Sequence, residues 1–302
     1  MRAARGLIVL TLLVGNFSGL WFDAARGQPV GITTELVRLP TADGQHTDGA
    51  VHVPAGRAVR GGVVLVHGFG ANFYSGVSAH LAPALAARGF VALAVNLRDH
   101  DTGPKTTRFE ENRFDIEAAV DELARRGVTP LALVGTSLGT NSVIFHVAET
   151  RDPRVRAVVL LAGPGNAFEW NVRQQGRERA TQVLEEAQRL QGAGRGRELM
   201  LVDLGPLGKA LYSADYLVSL RGPQTRSDPF RNLERVTVPA LLVYGTADPL
   251  VDPEVGRRLK AAATRAPRAD LIEIPGADHG FSRHQAELAD RVQRWLADVL
   301  GR

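Results

Sequence analysis

Cysteine is absent from the 302 residues. That excludes disulfides, a thiol nucleophile, lipoprotein-type lipidation and cysteine-based metal sites. Lysine is scarce, with only Lys105, Lys209 and Lys260. The basic side chains are therefore almost all arginine, spread along the chain and mixed with acids. The 36 basic residues face 32 acidic ones, a net charge of only +4. No basic run and no patch of interleaved basic and aromatic residues occurs, so a nucleic-acid partner is not expected. Aromatics make up only 6% of the chain. Neither H-E-x-x-H nor another paired-histidine spacing appears, so the sequence implies no metal and no cofactor.

Long apolar runs are missing as well. The nearest approach is N-terminal. Arg2 and Arg5 precede "GLIVLTLLVG", then "NFSGLWF" and the polar "DAARGQP". A short basic region before a short apolar core has the shape of an export signal. Ala25 and Gly27 are the small pair for cleavage before Gln28. Uncleaved, residues 7–22 form a marginal anchor, since a full span wants about 20 apolar residues. Residues 1–27 are thus expected to direct export, to the periplasm, the exterior or a membrane-anchored position, and are set aside from the fold.

What is present is alternation. With 44% hydrophobic residues and 32 glycines, the chain can bury a sizeable core with many tight turns. "TELVRLP" and "GAVHVP", joined by "TADGQ", read as an opening antiparallel pair. "GGVVLVHG", "FVALAVN", "LALVG", "VRAVVLLAG", "PALLVYG" and "ADLIEIPG" are continuous apolar runs, the pattern of strands buried on both faces. Between them lie amphipathic segments such as residues 110–126 and 285–300. Strands alternating with helices predict an α/β fold with a doubly wound, mostly parallel sheet over residues 28–302. One segment, residues 165–236, breaks the alternation. It contains the helical "RERATQVLEEAQRLQ" and no evident strand, and is expected to be a helical cap over the open end of the sheet.

"LALVGTSLGTNSVIF" sets a serine between two glycines at a strand-to-helix corner. Gly135-Thr136-Ser137-Leu138-Gly139 is G-x-S-x-G in the context that the motif needs. So sharp a turn leaves no room for Cβ atoms at the flanking positions and presents the Ser137 hydroxyl at the carboxyl end of the sheet. The helix N-terminus behind it favours developing negative charge. A serine hydroxyl needs a base. Asp248, in "YGTADPLVDP", and His279, in "IPGADHGFS", each follow a strand end and fall at the same sheet edge. His279 is the candidate base, and Asp248 the acid that orients it. Among rivals, Asp252 precedes Pro253 and suits a helix N-cap. Asp278 suits a loop hydrogen-bonder, His284 the start of the last helix. Oxyanion donors are expected at the backbone N–H of Leu138 and, from the loop His67-Gly68-Phe69-Gly70, at that of Phe69. His67 itself reads as a brace, and "NLRDHDTG", with Arg98, Asp99 and His100, is a polar cluster that follows the next strand.

Together "VVLVHGFG", "LVGTSLG", "YGTADPLV" and "GADHGF" resemble an α/β-hydrolase-fold serine hydrolase of the esterase, lipase or peptidase-like kind, over roughly residues 34–300. The resemblance implies Ser137 as nucleophile, Asp248 as acid, His279 as base, Phe69 and Leu138 as oxyanion donors, and a cap at 165–236. Thr136 departs from the histidine common there in relatives. The implied activity is cleavage of a small-molecule carboxylic ester through an acyl-enzyme. The alternatives are an amidase or peptidase with the same triad, a catalytically idle binding domain, and a cofactor-free peroxidase or lyase on the same fold. Phe168, Trp170, Leu211, Tyr212 and Tyr216 are candidates for an acyl pocket or for the cap's own core. Arg221 and Arg226 are the candidate clamps for an anionic group.

Overall fold

The computed structural model describes residues 31–301, so the proposed export segment at residues 1–27 lies outside the described residues. The chain opens with β1 (Ile32–Pro40) and β2 (His46–Pro54), antiparallel, with Ile32 opposite Pro54 and Pro40 opposite His46. Then follow β3 (Gly62–Val66), α1 (Gly76–Ala86), β4 (Val91–Val95), α2 (Asn112–Arg125), β5 (Leu131–Thr136), α3 (Gly139–Thr150) and β6 (Val155–Leu161). After an inserted segment come β9 (Ala240–Gly245), α8 (Pro253–Ala262), β10 (Ala269–Ile274) and α9 (Gln285–Leu300). The strands form one eight-stranded sheet in the order β1-β2-β4-β3-β5-β6-β9-β10. From β4 to β10 every pairing is parallel; β2 meets β4 antiparallel.

The continuous apolar runs are explained by two covered faces. In β3, Val64 and Val66 pack into one core and Val63 and Leu65 into the other. Ile116 and Leu123 of α2, Val143 and Val147 of α3 and Leu259 of α8 fill the first layer. Leu81 and Leu85 of α1 and Leu288, Val292 and Leu296 of α9 fill the second. The pleat sends successive side chains to opposite faces, so a strand between two helical layers has no solvent face to make polar.

The insertion between β6 and β9 contains α4 (Ala167–Gln175), α5 (Arg177–Gly192), α6 (Ala214–Arg221) and α7 (Pro229–Leu233). It also contains β7 (Leu199–Asp203) and β8 (Lys209–Ser213), an antiparallel hairpin with Leu199 opposite Ser213. The cap is mainly helical, as expected, and only the expectation that it holds no strand is corrected. Each strand has only five residues, and Leu199, Leu201 and Leu211 are exposed while Val202, Ala210 and Tyr212 are buried. The apolar outer face hides the period-two alternation that would announce a strand. The insertion packs its own core, with Trp170, Leu190, Val202, Tyr216 and Leu217 against Phe109 and Phe145 of the main body. Among the described residues, no helix is long and apolar enough to cross a membrane.

Candidate active site

The corner after β5 is as tight as its two glycines imply. A Cβ on Gly135 would stand 2.6 Å from the Thr140 Cα, and one on Gly139 would stand 2.3 Å from the His67 carbonyl oxygen. Ser137 itself has φ +51°, a left-handed conformation that a non-glycine residue adopts at an energetic cost. Three hydrogen bonds hold it there. Ser137 N–H donates to Leu161 O at 2.8 Å, while Ser137 O accepts from Thr140 N–H at 3.0 Å and from Thr140 Oγ1 at 2.7 Å.

Asp248 and His279 arrive from the ends of β9 and β10. His279 Nδ1–H donates to Asp248 Oδ2 at 2.7 Å, and the other carboxylate oxygen accepts from Leu250 N–H at 2.8 Å and Val251 N–H at 3.0 Å. The Asp248 side chain is fully buried and that of His279 is 21% exposed. Both acceptor atoms of the aspartate are thus engaged, and the imidazole turns Nε2 away from it. No hydrogen bond joins Ser137 Oγ to His279; both line one cavity.

The rivals have other employment. Asp252 caps α8 through Glu254 N–H, Asp278 accepts from Ser282 N–H, and His284 precedes the first residue of α9.

The backbone N–H groups of Phe69 and Leu138 donate to no acceptor among the described residues. Gly68 brings their loop against the elbow, for a Cβ there would lie 2.7 Å from Ser137 Cβ and 3.3 Å from Ser137 Oγ. His67 is a brace. Its Nε2 accepts from Leu97 N–H at 2.9 Å, so Nδ1 carries the proton and donates to Gly68 O at 2.8 Å. Burial pushes its pKa down and keeps that neutral tautomer.

The segment after β4 braces in the same way. Arg98 pairs with the buried Asp115 at 3.0 Å and with Asp43 at 2.7 Å. Asp99 accepts from the Tyr216 hydroxyl at 3.1 Å. Lys105 had no signal in the sequence. It is 1% exposed, donates to the carbonyls of Asp99, His100 and Asp101, and lies 5.4 Å from the centre of the Phe69 ring. A buried ammonium thereby ties the loop after β4 to the loop that carries Phe69.

The cavity wall joins body and insertion. Phe69, Leu138, Leu250 and Val251 come from the body, and Trp170, Leu204, Leu207, Tyr212, Leu220 and Arg221 from the insertion. Of the five candidates for an acyl pocket, Trp170 and Tyr212 line it; Phe168 is half-buried on α4 outside the lining, Leu211 faces solvent, and Tyr216 lies in the core of the insertion. Of the two candidate clamps, Arg226 pairs with Glu149, whereas Arg221 lines the cavity. Among the described residues, no group of three or more histidine, aspartate or glutamate side chains is placed to hold a metal ion.

Such an arrangement can activate a hydroxyl beside two unpaired N–H donors in a mostly apolar cavity. Similar proteins agree on the framework. A relative in Neisseria meningitidis serogroup A, named pimeloyl-[acyl-carrier protein] methyl ester esterase, is 29% identical over 257 residues, covering 79% of this chain and 77% of its own. Est1E from Butyrivibrio proteoclasticus superposes with a TM-score of 0.65 at 18% identity, over 88% of this chain and 99% of its own. The structure of DcsB in complex with its substrate analogue gives 0.70 at 16%, over 89% of this chain and 100% of its own. The model of the alpha/beta hydrolase family matches residues 63–291, and the chain belongs to that family.

Proposed function

We propose that the protein is a serine hydrolase that cleaves a carboxylic ester through an acyl-enzyme. The observation that carries this reading is the 2.7 Å hydrogen bond from His279 to a fully buried Asp248, on a cavity that Ser137 also lines. In this mechanism Nε2 of His279 takes the Ser137 proton as Oγ attacks the ester carbonyl. Asp248 holds the Nδ1–H tautomer and stabilises the imidazolium. The developing oxyanion accepts from the N–H groups of Phe69 and Leu138, each worth about 2.7–4 kcal/mol in the transition state. Collapse breaks the acyl–oxygen bond, and His279 returns the proton to the departing alcohol. Water, deprotonated by the same imidazole, then releases the acid.

The meningococcal relative carries the name of a methyl ester esterase, which supports an ester rather than an amide as substrate. Intact mass after exposure to a fluorophosphonate tests the assignment. A single adduct on the protein and none on Ser137→Ala is expected; an unmodified, folded parent would overturn it. From the sequence alone, export through residues 1–27 is also proposed. N-terminal sequencing of protein recovered from each cell fraction checks it, with Gln28 first if the segment is cleaved.

A further inference from the structure

Arg221 is the last residue of α6, and it lines the cavity with only 6% of its surface exposed. Its Nε and Nη1 are buried and have no hydrogen-bond partner. Each of the two edges on which a guanidinium can receive a carboxylate therefore contains an unsatisfied N–H. No aspartate or glutamate among the described residues lies within ion-pair distance. Asp99 is engaged elsewhere, by the Tyr216 hydroxyl. The guanidinium lies over the Tyr212 ring, 5.1 Å from its centre, and also acts on the Tyr212 hydroxyl, whose anion it favours against burial.

A bland role at the helix end is already filled by others. Thr225 Oγ1 donates to Ser219 O and Leu220 O, Ser227 Oγ donates to Leu220 O, and Gly222 N–H donates to Val218 O. The last carbonyls of α6 are satisfied without Arg221. A buried charge is costly unless it is paired, and native proteins keep very few that are not. An arginine aimed into an apolar substrate cavity, with two idle donors, is a receptor for a planar anion.

His279 sets the direction. It must hand its proton to the alcohol, and its side chain is 21% exposed. The alcohol thus departs towards solvent, and the more deeply buried Arg221 faces the acyl part. Resting on the serine-hydrolase reading above, we propose that the acyl group ends in a carboxylate held by Arg221, so that the substrate is a half-ester of a dicarboxylic acid. Water adds across the acyl–oxygen bond, the alcohol leaves with the proton from His279, and the dicarboxylate is the product. The apolar side chains of Leu204, Leu207 and Leu220 would flank the methylene spacer between the two ends.

The test compares methyl half-esters of dicarboxylic acids of increasing length with methyl alkanoates of matching length. The expected result is a ratio of kcat/KM favouring the half-ester by about tenfold to a hundredfold at one spacer length, the scale of a hydrogen bond to a charged group. In Arg221→Met that ratio falls towards one. Arg221→Lys, which keeps the charge but not the planar fork, gives an intermediate ratio and serves if the methionine variant does not fold. Equal or better hydrolysis of the neutral ester at every length, in a protein that still takes the fluorophosphonate, overturns the inference and leaves the hydrolase reading intact. Titration of the dicarboxylic acids into Ser137→Ala separates the other case. Binding that is lost in Ser137→Ala/Arg221→Met supports the anion site even if no ester is cleaved. Absence of binding at every length counts against it.

Discussion

At the scale of single residues, the site depends on side chains that are missing and on protons that are fixed. Gly68 carries no Cβ because that atom would stand 2.7 Å from Ser137 Cβ and 2.9 Å from the Thr136 carbonyl oxygen, with Ser137 Oγ only 3.3 Å away. Gly68→Ala is expected to lower kcat at least tenfold and to lower the melting temperature as well, since the Thr136 carbonyl oxygen, 2.9 Å from the added Cβ, is backbone of the elbow and must shift. Steady-state kinetics beside a thermal melt checks this; an unchanged kcat would show that the substrate approaches elsewhere. Asp248→Asn tests the proton. The amide keeps the shape, but its NH2 can no longer accept the Nδ1–H of His279, and the imidazole is released into the wrong tautomer. A fall of about 10⁴-fold in kcat is expected, with fluorophosphonate labelling slowed in parallel. A loss of less than tenfold would mean that Asp248 acts only as a loop anchor through Leu250 and Val251.

At the scale of elements, what positions the site is a set of loops pinned at the strand ends by buried charge. Arg98 lies between Asp115 of α2 and Asp43 of the loop after β1, and its pull holds the Asp43 carboxyl down to about 2. Asp115 is 1% exposed, and burial pushes its pKa up against the opposing pull of Arg98. Arg98→Ala leaves that carboxylate buried without a counter-charge, its remaining partner the backbone N–H of residue 98 at 2.8 Å, which costs about 3–5 kcal/mol. The deficit carries a pH signature. Without Arg98, the folded state holds the Asp115 proton more tightly than the unfolded chain does, so the loss grows as pH rises above the ordinary carboxyl range and shrinks below it. Denaturant melts at pH 4 and pH 7 measure the difference. The strands of this framework were legible because a continuous apolar run has few alternatives, and Ser137, Asp248 and His279 because each follows such a run directly. The β7–β8 hairpin was not, since its outward residues are leucines and no polar alternation marks it. Arg221 stood out only as a candidate. That it lacks a partner, and that Lys105 has three carbonyls, depends on segments far apart in sequence meeting in space, which no local pattern records.

At the scale of the molecule, the response to acid separates two kinds of charge. The many arginine–carboxylate pairs of the surface, such as Arg189–Glu186 and Arg257–Glu254, are exposed, screened by salt and contribute little. The buried histidines weigh more. His146 of α3 is 1% exposed and neither ring nitrogen has a hydrogen-bond partner. Burial pushes its pKa down to about 4. The unfolded chain takes up a proton at the ordinary value near 6.5, whereas the folded protein resists until about 4. A depressed folded-state pKa means that the unfolded state binds more protons through this window. Stability is therefore full above pH 6.5, declines as pH falls towards 4, and loses on the order of 3 kcal/mol from this group. His67 adds a loss of the same sign, because burial lowers it too. The two are distinguishable. His146→Leu removes the titrating group and two unsatisfied nitrogens at once, so it is expected to hold or raise stability at pH 7 and to flatten the acid limb between pH 6.5 and 4, with activity unaffected because α3 presents this residue to the core and not to the cavity. A limb as steep as in the parent would assign the acid sensitivity to the other histidines that burial pushes down, His52, His67 and His80, of which His67 braces the loop that carries Phe69.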